Sequence, residues 1–218
     1  MRRDILTSAI AIVVLTVLLG LVYPLVVTGI SQVVFAHRAN GSQITVDGKL
    51  VGSELIGQQF ADQVIKNGKP QVDKANNPVT NPDPTDFQSR PSATVPPYNA
   101  ASTAFSNLGP NSVATEQAIM ANIQTYVGLE KPYVPALSAA RIPVDAVDNS
   151  ASGVDPEISV ANADIQAPRI AALRHLPLAQ VRSLIAKYTR GRTLGIFGES
   201  GVNALELNLA LNRASGGH

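Results

Sequence analysis

The feature that most constrains this chain is an apolar run longer than a bilayer is thick. From Ile5 no charged residue intervenes until His37 and Arg38, a stretch of about thirty residues where about 20 suffice to cross hydrocarbon. As one helix rising 1.5 Å per residue it reaches about 48 Å, against an apolar core of about 30 Å. Its far end therefore has to leave the lipid. A cleavable secretory signal is the rival reading, but such a signal has an apolar region of about 7–15 residues closed by a small-x-small site. The sequence around Phe35, Val-Val-Phe-Ala-His-Arg-Ala, offers no such site. The run reads as an uncleaved anchor.

Orientation follows from the flanks. Arg2 and Arg3 precede the run, whereas only Arg38 and a mostly neutral His37 follow it closely, so the positive-inside rule puts Met1 to Asp4 in the cytoplasm and everything after Phe35 outside. Tyr23 and Pro24 sit inside the run. A phenol favours the headgroup layer, and a proline that frees a carbonyl is best tolerated near water or a neighbouring helix, which places the pair at the outer interface; a kink packed in lipid is the alternative. Val26 to Phe35 then form a short apolar stalk. The chain has no cysteine, which removes disulfides, thiolate nucleophiles and cysteine-based zinc sites together.

Residues 1–36 thus form tail, membrane helix and stalk, and residues 37–218 are long enough for one domain with its own core. With 15 Pro, 16 Gly and no Trp, that domain is expected to be rich in turns and modestly cored. Asp47-Gly48 between short β-prone runs signals a hairpin. From Lys69 to Pro110, Pro and Asn recur and no apolar period survives, so this reads as a long functional or mobile loop. Val113, Ile119, Ile123, Tyr126 and Val127 share a helical face, with Ser112 as cap and an end near Gly128. Pro143 to Glu157 reads as a short extended piece and a polar turn. A helix capped by Ser159 is expected to break at Pro168, and another to run from Pro177 with Leu178, Val181, Leu184, Ile185 and Tyr188 inward. Leu205, Leu207, Leu209 and Leu211 alternate with polar or small residues, the period of a half-buried strand. The sum is an α+β domain with an antiparallel sheet.

Charge is split along the domain. Residues 37–164 carry eight Lys or Arg against 13 Asp or Glu, and residues 165–218 carry seven against two. Arg169, Arg174, Arg182, Lys187, Arg190 and Arg192 form an acid-free stretch that reads either as a surface for anionic headgroups or an acidic partner, or as a plain solvated helix face. With Tyr188 alone available for stacking there, nucleic acid is not expected as a partner.

Catalytic motifs fail on inspection. Gly191 to Ser200 has glycines but lacks the Lys-Ser/Thr ending of a phosphate loop, and Gly198-Glu-Ser-Gly-Val202 has valine where a nucleophile elbow needs its final glycine. His37, His175 and His218 have no metal-ligand spacing. Asp145, Asp148, Asp155 and Glu157 are close enough to hold a cation but do not follow the ligand pattern of a calcium loop, and turn or cap duties account for them equally.

Six blocks in order carry a family resemblance: Gly20–Ser42 (GLVYPLVVTGISQVVFAHRANGS), VGSELIGQQF from Val51, FQSRPSA from Phe87, YNAASTAFSNLGP from Tyr98, VDAVDNSASGVDPEIS from Val144, and RTLGIFGESGVNALELNLAL from Arg192. Together they resemble the C-subunit family of the bacterial high-affinity potassium-transporting P-type ATPase, the Kdp complex, over essentially the whole chain. Two places depart from the family pattern: Thr103-Ala104-Phe105-Ser106-Asn107 stands where Ser-Gly-Gly-Ser-Asn is usual, and Glu157 where histidine is usual. The resemblance implies a non-catalytic accessory subunit of an ATP-driven potassium importer in the bacterial cytoplasmic membrane. It implies one membrane helix and an extracytoplasmic domain that stabilises assembly or tunes potassium entry and ATP affinity. The implied partners are a channel-like potassium-translocating subunit, the catalytic P-type ATPase subunit, a small single-helix subunit and the lipid bilayer. ATP, magnesium and potassium would be used by the complex, with no catalytic, cofactor or metal residue in this chain. Under that reading the overlong helix docks on the translocating subunit and holds the domain near its ion entrance. Tyr23, Pro24 and Asn40 near the membrane, and Phe87, Arg90, Pro91, Asn107, Asp155 and Asn203 in the domain, are the implied structural or interface positions. A membrane-anchored binding or sensor domain with another partner is the alternative function.

Overall fold

The computed structural model describes residues 2–74, 76–102 and 107–216. The Thr103–Ser106 departure from the family pattern and His218 lie outside the described residues. The chain divides into two compact units, Met1–Ser53 and Glu54–His218.

The first unit begins with an apolar rod from Arg2 to Val34, none of it buried in protein. The rod is helix α1 (Arg2–Val17), a π turn (Leu18–Val22) and helix α2 (Tyr23–Val34). The π turn has a local cause. Pro24 has no N–H to donate and its ring would press on the carbonyl four residues back, so a widened turn ahead of it, in which Tyr23 N–H donates to Leu18 O, relieves the conflict. Phe35, at φ −130° and ψ 33°, ends the rod, and a single turn, α3 (Ala36–Ala39), follows. Asn40 straps this corner: its side-chain amide exchanges hydrogen bonds with that of Gln32 at 3.1 and 3.2 Å and donates to Ala36 O at 2.8 Å. The expected hairpin is present as β1 (Gln43–Val46) and β2 (Lys49–Ser53), antiparallel around Asp47 and Gly48, both at positive φ as a tight hairpin requires.

In the second unit, the outer pieces come first. They are β3 (Ala61–Gln63) paired with β6 (Thr80–Pro82), and a small hairpin of β4 (Ile65–Lys66) and β5 (Lys69–Pro70). The segment read as a featureless loop from Lys69 thus contains short strands, too brief to show a period. Helix α4 (Val113–Glu130) runs two residues past the expected end and covers a cluster of Tyr126, Leu137, Ala146 and Val147. Ser112 occupies the cap position without a side-chain bond, and Val113 is exposed rather than inward. Val144–Ala146 form a 3-10 turn where an extended piece was expected.

The main core lies between a three-stranded antiparallel sheet, β7 (Glu157–Ser159), β9 (Gly201–Asn203) and β8 (Thr189–Arg190) in that order, and helices α5 (Val160–Leu173), α6 (Leu178–Tyr188) and α7 (Ala204–Ala214). Phe87, Ile158, Ile170, Val181, Val202, Leu207 and Leu211 fill it. Ser159 caps α5 as expected, its side chain accepting from Asn162 N–H at 3.1 Å. The helix does not break at Pro168. Buried Ala163, Ala167, Ile170 and Ala171 on both sides of the proline hold it against the core, outweighing a cost of about 3 kcal/mol. The larger correction is at the C-terminus, where the alternating leucines form α7 and not a strand. Ala204, Leu205, Leu207, Asn208 and Leu211 are buried at helical spacing while Glu206, Leu209 and Arg213 lie on the more open side, so a 3.6-residue period is present beneath the leucine alternation. The α+β class with an antiparallel sheet holds.

Candidate functional site

The site is organised around an irregular segment, a turn at Pro84–Asp86 that leads into Phe87 and Gln88, which no strand accompanies. From Pro84 to Gln88, five consecutive carbonyls each accept a hydrogen bond from a side chain of α5, α7 or the residue capping α5. Arg169 serves Pro84 O and Asp86 O, Arg174 serves Thr85 O, Asn208 serves Phe87 O and Gln166 serves Gln88 O. Two amides also return the favour to the backbone donors, since Phe87 N–H donates to Asn208 Oδ1 at 2.8 Å and Gln88 N–H to Gln166 Oε1 at 2.7 Å. The helices thereby supply the partners that a neighbouring strand would give at Phe87 and Gln88, and Phe87 is driven fully into the core.

Arg169 is the centre of this arrangement. Its side chain and that of Glu130 are both 0% exposed, and Nε meets Oε1 at 2.9 Å. Burial holds the Glu130 carboxyl above the usual carboxylate range against the opposing pull of Arg169. From there the network continues through Gln166 and Asn162 to Asp145, which accepts from Asn162 Nδ2 at 3.0 Å and from Ser159 N–H at 2.8 Å, while Tyr126 donates to Asn162 Oδ1 at 2.8 Å. Burial raises the Tyr126 phenol far above its ordinary range.

Beyond Gln88 the segment turns along a cleft. Arg90 pairs with Asp155 at 3.2 Å and donates to Asn149 O at 3.2 Å, and Ser92 ties the segment to Gly153 O at 2.6 Å. Tyr98, at φ +62°, folds its ring back so that its hydroxyl donates to Arg90 O. Desolvation pushes this phenol up to about 12. The ring closes on Gly57, where an added Cβ would lie 2.5 Å from both the Tyr98 ring and Asp155 O. The resulting cleft encloses about 340 Å³ and is lined by Gln58, Gln88, Arg90, Tyr98, Asn122 and Tyr126 among others. Its wall is mostly apolar, the Arg90 charge is met by Asp155, and Gln88, Tyr98, Asn122 and Tyr126 donate to Asp83 O, Arg90 O, Val147 O and Asn162 Oδ1 within the fold.

The cluster Asp145, Asp148, Asp155 and Glu157 does not converge. Asp145 serves the start of α5, Asp148 accepts from Asn149 N–H at 2.9 Å, and Asp155 pairs with Arg90 and accepts from Glu157 N–H at 3.2 Å. Among the described residues no group of three His, Asp or Glu side chains could hold a metal ion. The basic stretch is likewise not one face. Arg169 is consumed in the core, Arg174 pairs with Asp86 and Arg190 with Glu206 at 2.9 Å, so the anion-binding reading retains only Arg182, Lys187 and Arg192.

Of the positions singled out from sequence, Phe87, Arg90, Pro91 and Asp155 come together around the strapped segment and its cleft. Asn203, fully buried, caps α7 by accepting from Glu206 N–H at 3.0 Å and donates to Glu54 O at 2.8 Å. Asn107, at φ +52°, precedes Gly109, whose carbonyl accepts from Ser112 N–H and from Thr115 at 3.0 Å at the entry to α4. Tyr23, Pro24 and Asn40 belong to the other unit. Sequence reading missed Glu130, Asn162, Gln166, Arg169 and Asn208. A signal was present on α5, where Asn162, Gln166 and Arg169 recur at i, i+4 and i+7, beside the face that carries the buried alanines.

The sequence profile of the family described as "KdpC: K+-transporting ATPase, c chain" matches residues 5–213. A potassium-transporting ATPase KdpC subunit from Methylobacterium nodulans is 45% identical over 205 residues, covering 94% of each chain. The KdpC subunit from Bradyrhizobium diazoefficiens is 43% identical over 215 residues and 99% of each chain. That from Mycobacterium tuberculosis is 40% identical over 213 residues, 98% of this chain and 100% of the relative.

Proposed function

The chain belongs to the family of C chains of the K+-transporting ATPase, and from that premise we propose that it is an accessory subunit of its pump with no chemistry of its own. The observation that carries this reading is the match along nearly the whole chain, from the apolar rod to the end of α7. The rod anchors the chain in the bacterial cytoplasmic membrane with Arg2 and Arg3 inside, and residues 37–218 stand outside. There the subunit stabilises the assembly of the channel-like translocating subunit, the P-type catalytic subunit and the small single-helix subunit. ATP, magnesium and potassium are handled by those partners. On this topology the domain and any nucleotide-binding domain lie on opposite sides of the membrane. An influence on ATP affinity is then a coupling free energy through the membrane subunits, typically about 1–3 kcal/mol or roughly 5–150-fold.

The test is to purify the tagged full chain from its own membranes in mild detergent. A stable complex containing a phosphorylatable P-type ATPase chain is expected, and a lone monomer would overturn the reading in favour of a sensor or binding domain with another partner. Protease added outside spheroplasts should digest the chain beyond Phe35; protection there, with cutting in inverted vesicles, reverses the topology. Calorimetric titration of the purified full chain with ATP should show no saturable site.

A further inference from the structure

The chain contains two Asn-Gly pairs, Asn40-Gly41 and Asn67-Gly68. In such a pair the side-chain amide carbon is one ring closure away from the glycine's backbone nitrogen, and a glycine, having no Cβ, leaves that nitrogen open to approach. The fold treats the two pairs oppositely. At Asn40 both the amide and the following nitrogen are engaged. Asn40 Nδ2 donates to Gln32 Oε1 at 3.1 Å and to Ala36 O at 2.8 Å, Oδ1 accepts from Gln32 Nε2 at 3.2 Å, and Gly41 N–H donates to Arg38 O at 3.1 Å.

Asn67 and Gly68 form the turn of the β4–β5 hairpin, at φ +53° and +72°, and both are exposed. Among the described residues the Asn67 side chain makes no hydrogen bond, and nothing lies within 4 Å of where a Cβ on Gly68 would stand. The turn has to open for the side-chain carbon to reach Gly68 N, and little holds it shut. Its strands are two residues long, and Lys66 stands opposite Lys69, a like-charge pairing that weakens a hairpin already short. The next backbone bond, from Gln71 N–H to Val64 O at 2.8 Å, lies beyond Pro70, which has no N–H to donate. The two lysines have a second effect, because cations beside an N–H favour the anion that its ionisation leaves.

We propose that Asn67 is a site of spontaneous deamidation and that the bonds to Gln32 and Ala36 protect Asn40 from the same reaction. Gly68 N bonds to Asn67 Cγ, the Cγ–Nδ2 bond breaks, and ammonia leaves with the proton that Gly68 N gives up. Water then opens the five-membered imide at either carbonyl, returning aspartate or isoaspartate. Either product puts a carboxylate between two lysines, and isoaspartate also lengthens the main chain by one carbon within a two-residue turn. The full chain in mild detergent is held at mildly alkaline pH, sampled over days, and digested in heavy-oxygen water, which marks conversions that occur during the digest. The peptide containing Asn67 should gain the mass difference between an amide and an acid, as two separable isomers. It should do so at least about tenfold faster than the peptide containing Asn40, the ratio that hydrogen bonds of ordinary strength at Asn40 impose. Gln32→Ala should speed conversion at Asn40 severalfold and leave Asn67 unchanged. A synthetic peptide spanning residues 61–73 gives the rate without the fold. An Asn67 that stays intact in the full chain while this peptide converts overturns the site, and so does an Asn40 that converts as fast as Asn67. An Asn40 rate unmoved by Gln32→Ala overturns the protection.

Discussion

Asn208 pairs with both backbone groups of Phe87, accepting from its N–H at 2.8 Å and donating to its carbonyl at 3.0 Å, across 121 positions of sequence. Asn208→Ala leaves a buried donor and a buried acceptor without partners, each worth about 1–3 kcal/mol. Chemical denaturation of the full chain should show a loss in that range or above it. Asn208→Asp keeps the acceptor, loses the donor and should be no less destabilising. A loss below about 0.5 kcal/mol for the alanine variant would mean that water or a shifted segment replaces the amide.

The Arg169–Glu130 pair is expected to be asymmetric under mutation. Glu130→Ala strands the Arg169 cation in the core and should cost about 3–5 kcal/mol. The double variant Glu130→Leu with Arg169→Met removes both charges and should recover part of that loss in the same assay. A double variant as unstable as the sum of its singles would show that the bonds from Arg169 to Pro84 and Asp86, and not charge pairing, set the energy.

Gly57 is fixed by the space that Tyr98 and Asp155 leave. An alanine methyl would sit 2.5 Å from a ring carbon and from a backbone oxygen, and the oxygen cannot swing aside. Gly57→Ala should lower stability by about 1–3 kcal/mol, the usual cost of overpacking. An unchanged denaturation midpoint would place the Tyr98 ring elsewhere.

Alkaline titration separates the tyrosines. Free phenols lose their proton near 10, whereas burial holds Tyr98 protonated to about 12 and Tyr126 beyond that. An acid whose pKa is raised on folding contributes stability that falls as pH rises from the unfolded toward the folded value, so the domain should weaken progressively between about pH 10 and 12. Tyrosinate absorbance should show two phenols ionising late and together with unfolding. The absence of any late step would contradict the buried positions of Tyr98 and Tyr126.

What the sequence disclosed depended on whether a signal was local. The Asp47-Gly48 hairpin, the Ser159 cap and the inward face of α6 are decided within a few residues, and each is found where local rules put it. Leu205 to Leu211 were misjudged because the leucine alternation masked a helical spacing, Ala204, Leu205, Leu207, Asn208 and Leu211, that has a polar asparagine on its inward face. The sign of a helix start was Asn203 three residues ahead of Glu206. Pro168 was misjudged because tertiary packing overrode a local breaker. The strapped segment was the least legible. Its partners lie 78 to 121 positions away, and Arg169 reads as one cation in a basic run until Glu130 is found beside it.

The π turn at Leu18–Val22 also sets a phase. An ordinary helix advances about 100° per residue, and one widened turn absorbs an extra residue without lengthening the rod by a full step. The face that α1 presents is therefore offset from the face that α2 presents, and the offset is stored in the single missing N–H of Pro24. Restoring that N–H would let the two halves fall into one continuous stripe. Whatever packs along the helix has to match two different azimuths, one before Leu18 and one after Val22.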